Sequence, residues 1–368
     1  MGIGVEMPKP STQPSTSGTG PGPVIAADRG RDFAATATRL AAWLEGRIGA
    51  PVRLDDLTYP TGAGLSNETI LFDATWEQAG AAKRQSFVLR LHPGDFQVYL
   101  DPAFERQFRL LQTLGREDLA RVPAALWEER DPDVLGRSFF IMERIVGRVP
   151  VNHPNYNLAG WLADAKPRDR ERAWTSAMEE MARIHRVPAD KVRFMLRPEY
   201  GSTGFEDEFN YWMRALEWVA GDSRMPLLDT AADWLSRNRP AAPPEGLSWG
   251  DARIGNMKFD DNFAVAAVLD WEQASLAGGQ QDLGWWLFMD RSAAAFKGVE
   301  RLEGLGDRQQ TIDLWQELTG QSAADVDWYE TYAGFKLMIV ATRVGHLKQA
   351  GPLTGTDTLT GWLSERIR

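Results

Sequence analysis

Asp251 and Asn256 stand five residues apart in the run Trp249-Gly250-Asp251-Ala252-Arg253-Ile254-Gly255-Asn256. A third oxygen-bearing side chain, Asp270, ends the apolar run Val265-Ala266-Ala267-Val268-Leu269. Phosphoryl transfer calls for these parts: a carboxylate that orients and deprotonates the attacking hydroxyl, and oxygen ligands that hold magnesium against nucleotide phosphates. A lone Asp beside Gly is as readily a turn or cap residue. Three matching residue types in this order, on what reads as strand, loop and strand, are much harder to obtain by chance than one acid.

The elements that must carry these residues follow from the periodicity. Phe33, Ala37, Leu40, Leu44 and Ile48 recur at helical spacing, so a helix opens the folded part. Residues 65–77 and 84–92 alternate or are rich in β-formers and predict a hairpin. Residues 104–115 place Phe104, Phe108, Leu111 and Leu114 on one helix face, with Gly115 read as the residue past its end. Residues 124–129 and 137–147 predict further strands. Beyond Gly147 the pattern turns helical, at 170–187, 205–221 and 225–240. The stretch 245–278 interrupts it with short β-like pieces that flank the acids. The expected fold class is α+β in two lobes, a small antiparallel-sheet N-lobe crossed by one helix and a larger helical C-lobe.

Bulk properties bound the function. A chain of 368 residues exceeds what one core usually serves. The organisation expected is a flexible tail over 1–25, an N-terminal lobe over 26–147 and a helical lobe over 148–368. Within the tail, residues 8–23 are almost wholly Pro, Ser, Thr and Gly, a composition that buries too little apolar area to offset ordering entropy. There is no cysteine, which excludes disulfides, thiolate nucleophiles and Cys-based zinc sites. Four histidines, His92, His153, His185 and His346, show no metal-ligand spacing, and His185 falls within an amphipathic helix where a packed role is expected. A net charge of -10 argues against a nucleic-acid partner. No apolar run approaches the roughly 20 residues that span a bilayer, so a cytoplasmic protein without a membrane partner is the expectation.

The block around Asp251 and Asp270 resembles the HGDxxxxN and IDWE-type motifs of the aminoglycoside phosphotransferases, small-molecule kinases with a protein-kinase-like fold. The resemblance covers most of the chain after the tail. It implies ATP and magnesium as cofactors, Asp251 as catalytic base, and Asn256 and Asp270 as metal ligands. The acceptor it implies is a hydroxyl-bearing small molecule, an aminoglycoside as first guess. Sugars, choline-like compounds, macrolides and acyl-type compounds are alternatives, as is a non-catalytic nucleotide-binding scaffold. One departure is plain: the family's His before Gly-Asp is here Trp249, so a hydrogen bond that braces the catalytic loop is missing or replaced.

Along the N-lobe, Pro60 to Thr69 resembles the family's nucleotide loop, with Gly64, Ser66 and Asn67 at its small and polar positions; an ordinary hairpin turn reads the same way. Arg90, in Phe87-Val88-Leu89-Arg90-Leu91, stands where the family has its phosphate-binding lysine, and its planar fork meets phosphates differently from an ammonium. The family's partner glutamate falls nearest Gln107, with Glu105 two residues earlier, and only one of the two can face Arg90. The run 139–147 resembles the strand between the lobes, where the Glu143 carbonyl and the Ile145 amide would read adenine. Asp282 matches an aspartate that supports the catalytic loop, with helix capping as the alternative. Glu206-Asp207-Glu208 is a candidate acidic wall for a polycationic acceptor.

Overall fold

The computed structural model describes residues 30–60, 66–152, 154–223, 225–349 and 356–368. The expected tail, Gly64 and His153 lie outside them. Helix α1 (Phe33–Ile48) spans the predicted residues, because Asp32 caps it by accepting from the Ala34 and Ala35 amides at 2.9 and 3.0 Å. Strands β1 (Val52–Thr58), β2 (Glu68–Gln78), β3 (Ala81–Leu91), β4 (Ala125–Glu129) and β5 (Phe139–Glu143) form one sheet in the order β1-β2-β3-β5-β4, antiparallel throughout. β1 escapes periodicity because Arg53, Asp55 and Asp56 dominate it and only Val52 is fully buried.

Alternation along the strands gives the sheet two apolar faces. Ile70, Phe72, Ala74 and Trp76 join Phe87, Leu89, Phe139 and Ile141 beneath Leu40 and Leu44 of α1. Val88, Phe140 and Met142 point the other way, onto Phe104, Phe108 and Leu111 of α2 (Phe104–Arg116). Full burial of a side chain of this size contributes about 1.5–3 kcal/mol. Arg90, two residues beyond Val88, is thereby turned to the α2 side. Gly115 does not stop α2, which runs to Arg116; buried Leu111 and Leu114 hold the last turn despite the weak helix former between. A short α3 (Pro132–Leu135) links β4 to β5.

The second part is helical: α4 (Trp161–Asp164), α5 (Pro167–His185), α6 (Ala189–Val192), α7 (Gly204–Ala220), α8 (Pro226–Arg237), α9 (Gly279–Ala295), α10 (Arg308–Thr319), α11 (Val326–Lys348) and α12 (Thr356–Arg366). Between α8 and α9 lies the hairpin of β6 (Met257–Phe259) and β7 (Val265–Val268). Its outer strand is tied to the chain leaving β5: Arg148 donates to the Phe259 carbonyl at 2.8 Å and Phe259 donates back at 2.9 Å. Most helices are amphipathic, but α9 and α11 pack on each other and are buried nearly all round. Among the described residues no helix is long and apolar enough to cross a membrane.

Candidate active site

The catalytic loop hangs from one buried carboxylate. Asp282, in the first turn of α9 and 0% exposed, accepts from the main-chain amides of Trp249 (2.6 Å) and Gly250 (2.7 Å), the Ser248 hydroxyl (2.8 Å) and His185 Nε2 (2.9 Å). Four donors on one carboxylate make it a support for the loop, not a helix cap. The His185 tautomer follows from its other neighbour: Trp315 Nε1, which can only donate, reaches Nδ1 at 3.0 Å, so Nε2 carries the hydrogen aimed at Asp282. Gly250 has φ +94°, and a Cβ there would stand 2.1 Å from the Gln273 carbonyl oxygen, so only glycine fits.

Trp249 replaces the missing histidine brace. Its indole is fully buried, and Nε1 donates to the Leu269 carbonyl at 2.8 Å, joining the loop to the strand end that presents Asp270. Trp249→Phe keeps most of the ring and removes that donor, so a loss of about 1 kcal/mol is expected in urea unfolding. A midpoint unchanged by the substitution would show that the bond does not brace the loop.

Three donors converge on the Asp251 carboxylate. Trp285 Nε1 reaches Oδ1 at 2.8 Å, Arg253 Nε reaches both oxygens at 3.2 and 3.3 Å, and Asn256 Nδ2 reaches Oδ2 at 2.7 Å. The same Nδ2 donates to the Asp251 carbonyl at 3.1 Å. Both partners of the amide are acceptors, which fixes its orientation and leaves Oδ1 for a cation. The Asn256 carbonyl accepts from the Leu269 amide at 2.8 Å, so loop and strand end are fastened beside Asp270. Asp270 itself sits in the left-handed region at φ +61°, a conformation that Asp tolerates better than most residues.

Arg90 pairs with neither candidate on α2. Glu105 faces outward and bonds Arg130 at 3.4 Å, whereas Gln107 is buried with no partner for its Nε2. Arg90 reaches toward Asp270 at 3.9 Å and Glu272 at 3.7 Å. Ser66 and Asn67 turn to the same acid: the Ser66 hydroxyl donates to Glu272 Oε2, and Asn67 Nδ2 does so at 2.8 Å. Burial pushes the Glu272 carboxyl up to about 8, helped by the Asp270 charge, and burial raises Asp270 as well. The structure therefore gathers Asp251, Asn256, Asp270, Arg90, Ser66 and Asn67 around one centre, where Arg90 and Arg253 are the cations beside the acids. Among the described residues no three His, Cys, Asp or Glu side chains form a metal cage.

The remaining candidates lie at the end of β5, just after it and on α7. Arg144 donates to the Ser86 carbonyl on β3 at 3.2 Å, while Glu143 donates the opposite way, to the Ala124 carbonyl at 2.9 Å. Alternation thus turns the Glu143 carbonyl away from β3, and the strand ends there. The acidic wall is not available. Glu206 caps its own helix through Ser202 and Thr203, Asp207 bonds Arg197 at 2.7 Å, and buried Glu208 is held by Trp212, Gln281, Lys336 and Arg197.

Sequence reasoning missed Trp285, one turn after Asp282 on α9, and Tyr99. The Tyr99 hydroxyl accepts from Gln273 at 3.0 Å, and burial and the charges of Glu272, Asp251 and Asp270 push its pKa well above the usual phenol value. The turn spacing from Asp282 was the available signal for Trp285; nothing local marks Tyr99. Behind the loop lies a cavity of about 160 Å³, walled in part by Asn152, Asn155, Arg253, Gly255, Asp290 and Arg301.

This two-lobed architecture, with a loop acid, an Asn and a strand-end Asp between the lobes, defines a small-molecule kinase. Residues 60–318 match the profile of the phosphotransferase enzyme family, and the chain belongs to that family. A solved Ralstonia eutropha JMP134 protein assigned to the aminoglycoside phosphotransferases is 22% identical, with a TM-score of 0.63 over 90% of this chain and 95% of its own. A thermostable variant of aminoglycoside phosphotransferase APH(4)-Ia, solved with ADP and hygromycin B, is 14% identical, with a TM-score of 0.54 over 89% of this chain and 98% of its own. An Arabidopsis thaliana protein that carries an acyl-CoA dehydrogenase name is 27% identical over 236 residues, 61% of this chain. The match spans about a quarter of that relative's length, 27%.

Proposed function

We propose that the chain transfers the γ-phosphoryl group of ATP, with magnesium, to a hydroxyl of a small molecule. The observation that carries this reading is the Asp251 carboxylate, oriented by Trp285, Arg253 and Asn256 beside an Asn oxygen and a second carboxylate at Asp270. The donor set fits the metal: Asn256 Oδ1 and the Asp270 carboxylate are hard oxygens, and the acids have only Arg90, at 3.7 to 3.9 Å, as a nearby cation on their N-lobe side. When bound, the metal ion neutralises phosphate charge and helps fix the phosphates in line with the acceptor.

The chain's own residues do the rest. Asp251 accepts the acceptor's hydroxyl proton as the acceptor oxygen bonds to the γ-phosphorus and the bond from that phosphorus to the departing ADP oxygen breaks. Trp285 and Asn256 keep that carboxylate from rotating, and the work is mostly positioning. Arg90, with the 62–67 segment that includes Gly64, Ser66 and Asn67, steadies the phosphates. The Glu143 carbonyl and the Ile145 amide take the adenine edge. Glu206, Asp207 and Glu208 are already bonded within the helical part, and the Asp251 carboxylate is flanked by the Trp285 indole and the Arg253 guanidinium, which favours an uncharged alcohol over a polycation as acceptor.

The test is turnover of ATP with magnesium against a panel of aminoglycosides, sugars, choline-like alcohols, macrolides and hydroxyacyl compounds. A phosphorylated product from one class identifies the acceptor. ATP binding with no transfer across a panel that covers all five would favour the scaffold reading.

A further inference from the structure

A charged clasp sits where β1 and β2 part. Their pairing ends at Thr58 with Leu71, so Glu68, Thr69 and Ile70 run on past the last ladder pair and no strand bond ties them to β1. Side chains make that tie instead. Glu68, 2% exposed at the start of β2, accepts from both arms of the Arg31 fork, Nε at 2.7 Å and Nη2 at 2.8 Å. Such a bidentate, charge-assisted pair fixes direction as well as distance. The Tyr59 hydroxyl, just past the end of β1, donates to the same Glu68 oxygen at 3.2 Å. Burial and the Glu68 charge push that phenol up to about 12, so it keeps its proton and stays a donor. Arg31 is itself anchored, because Nη1 donates to the Leu135 carbonyl at the end of α3 at 2.9 Å. The Tyr59 ring rests 4.9 Å from the ring of Phe33 on α1.

The residues beside Glu68 belong to the site. Ser66 and Asn67 both reach Glu272, and Thr69 lies across the strands from Arg90. Alternation sends the Glu68 side chain to the α1 face and Thr69, with Arg90, to the α2 face. Ser66 and Asn67 precede the first pair of the β2–β3 ladder, Glu68 with Leu91, so strand bonds do not hold them. Their arrangement depends on what fixes Glu68. A ligand that binds one arrangement loses apparent affinity in proportion to the time the protein spends in others.

We infer that Arg31 is a positioning residue of the nucleotide site: by clasping Glu68, and Tyr59 through it, Arg31 holds Ser66 and Asn67 in the arrangement that receives nucleotide phosphates. The inference rests on the proposed nucleotide role of the cleft.

The experiment measures ATP binding by calorimetry with magnesium, with thermal unfolding in parallel, for the natural chain, Arg31→Met, Arg31→Lys and Arg47→Met. Met keeps an unbranched stem without the charge, and Lys keeps the charge without the fork. Arg47 ties α1 to β4 through Glu129 at 3.2 Å, so Arg47→Met loosens the same lobe away from Ser66 and Asn67. Arg31→Met is expected to weaken ATP binding roughly tenfold, as for a receptive arrangement populated about a tenth of the time. Arg31→Lys should fall between it and the natural chain, and Arg47→Met should bind as the natural chain does. A purely structural pair would lower the unfolding temperature of Arg31→Met and leave the ATP affinity of the folded protein unchanged, which overturns the inference. An equal loss of affinity in Arg47→Met overturns it as well. If Arg31→Met does not fold, Arg31→Lys decides, and natural affinity in that variant overturns the inference. In each of these cases the natural chain still binds ATP and the nucleotide reading stands. A natural chain that binds no ATP overturns that reading, and the role of Arg31 with it.

Discussion

Asp251→Asn is expected to leave nucleotide binding intact and to lower transfer to any verified acceptor by roughly a hundred- to ten-thousandfold, the range for losing a positioned base. The carboxylate accepts from Trp285, Arg253 and Asn256 at once. An amide of the same size has one oxygen for those three donors and no basic site for the acceptor's proton. One donor then faces an NH2 group, and a stability loss of about 1–3 kcal/mol accompanies the lost chemistry. Thermal unfolding measured alongside kinetics separates the two effects. Transfer at the natural rate by a folded Asp251→Asn variant would end the base assignment and the catalytic reading of the loop.

Asp270→Asn should act one step earlier, on the metal-bound nucleotide. Asn tolerates the left-handed backbone at this position about as well as Asp, so the strand end keeps its shape. Removing the charge weakens a ligand, and the loss in magnesium-dependent ATP affinity should reach at least the roughly 10- to 100-fold that outer-shell partners of metals already cost. Calorimetry of ATP with and without magnesium reads this directly. The natural chain should bind ATP weakly without a divalent cation, because the acids then face the phosphates with little countercharge. Metal-independent ATP affinity in the natural chain, or an unchanged magnesium dependence in Asp270→Asn, would remove Asp270 and Asn256 from the metal site.

The constellation at the centre was legible because it lies within two short stretches of sequence. Asp251, Asn256 and Asp270 come from one strand-loop-strand unit whose turn chemistry is local, and the alternation in β2 and β3 aims Arg90 toward the same place. Helix α1 could be read for the same reason, since its cap and apolar stripe are local signals. What depends on distant partners could not. The Trp249 indole meets Leu269 twenty residues on, and Asp282 gathers donors from two distant segments, residues 248–250 and His185; neither set of bonds leaves a trace in periodicity. The Glu206-Asp207-Glu208 run looked like free charge because its cations, Arg197 and Lys336, arrive from elsewhere in the chain. The Arg90 case shows the opposite limit: sequence narrowed its partner to two residues of α2, and the fold gave it two acids from the strand end instead.

The Trp315–His185–Asp282 chain ties the catalytic loop to three helices of the second part and to none of the sheet. The Trp249 and Gly250 amides end on a carboxylate with no solvent access, so they can trade hydrogen for deuterium only when α5, α9 and α10 come apart. Their exchange should therefore report the opening of the helical part as a whole, and should stay slow even when the sheet and α1 open first. Measured in that way, the loop should exchange with the helical part and not with the sheet that carries Arg90.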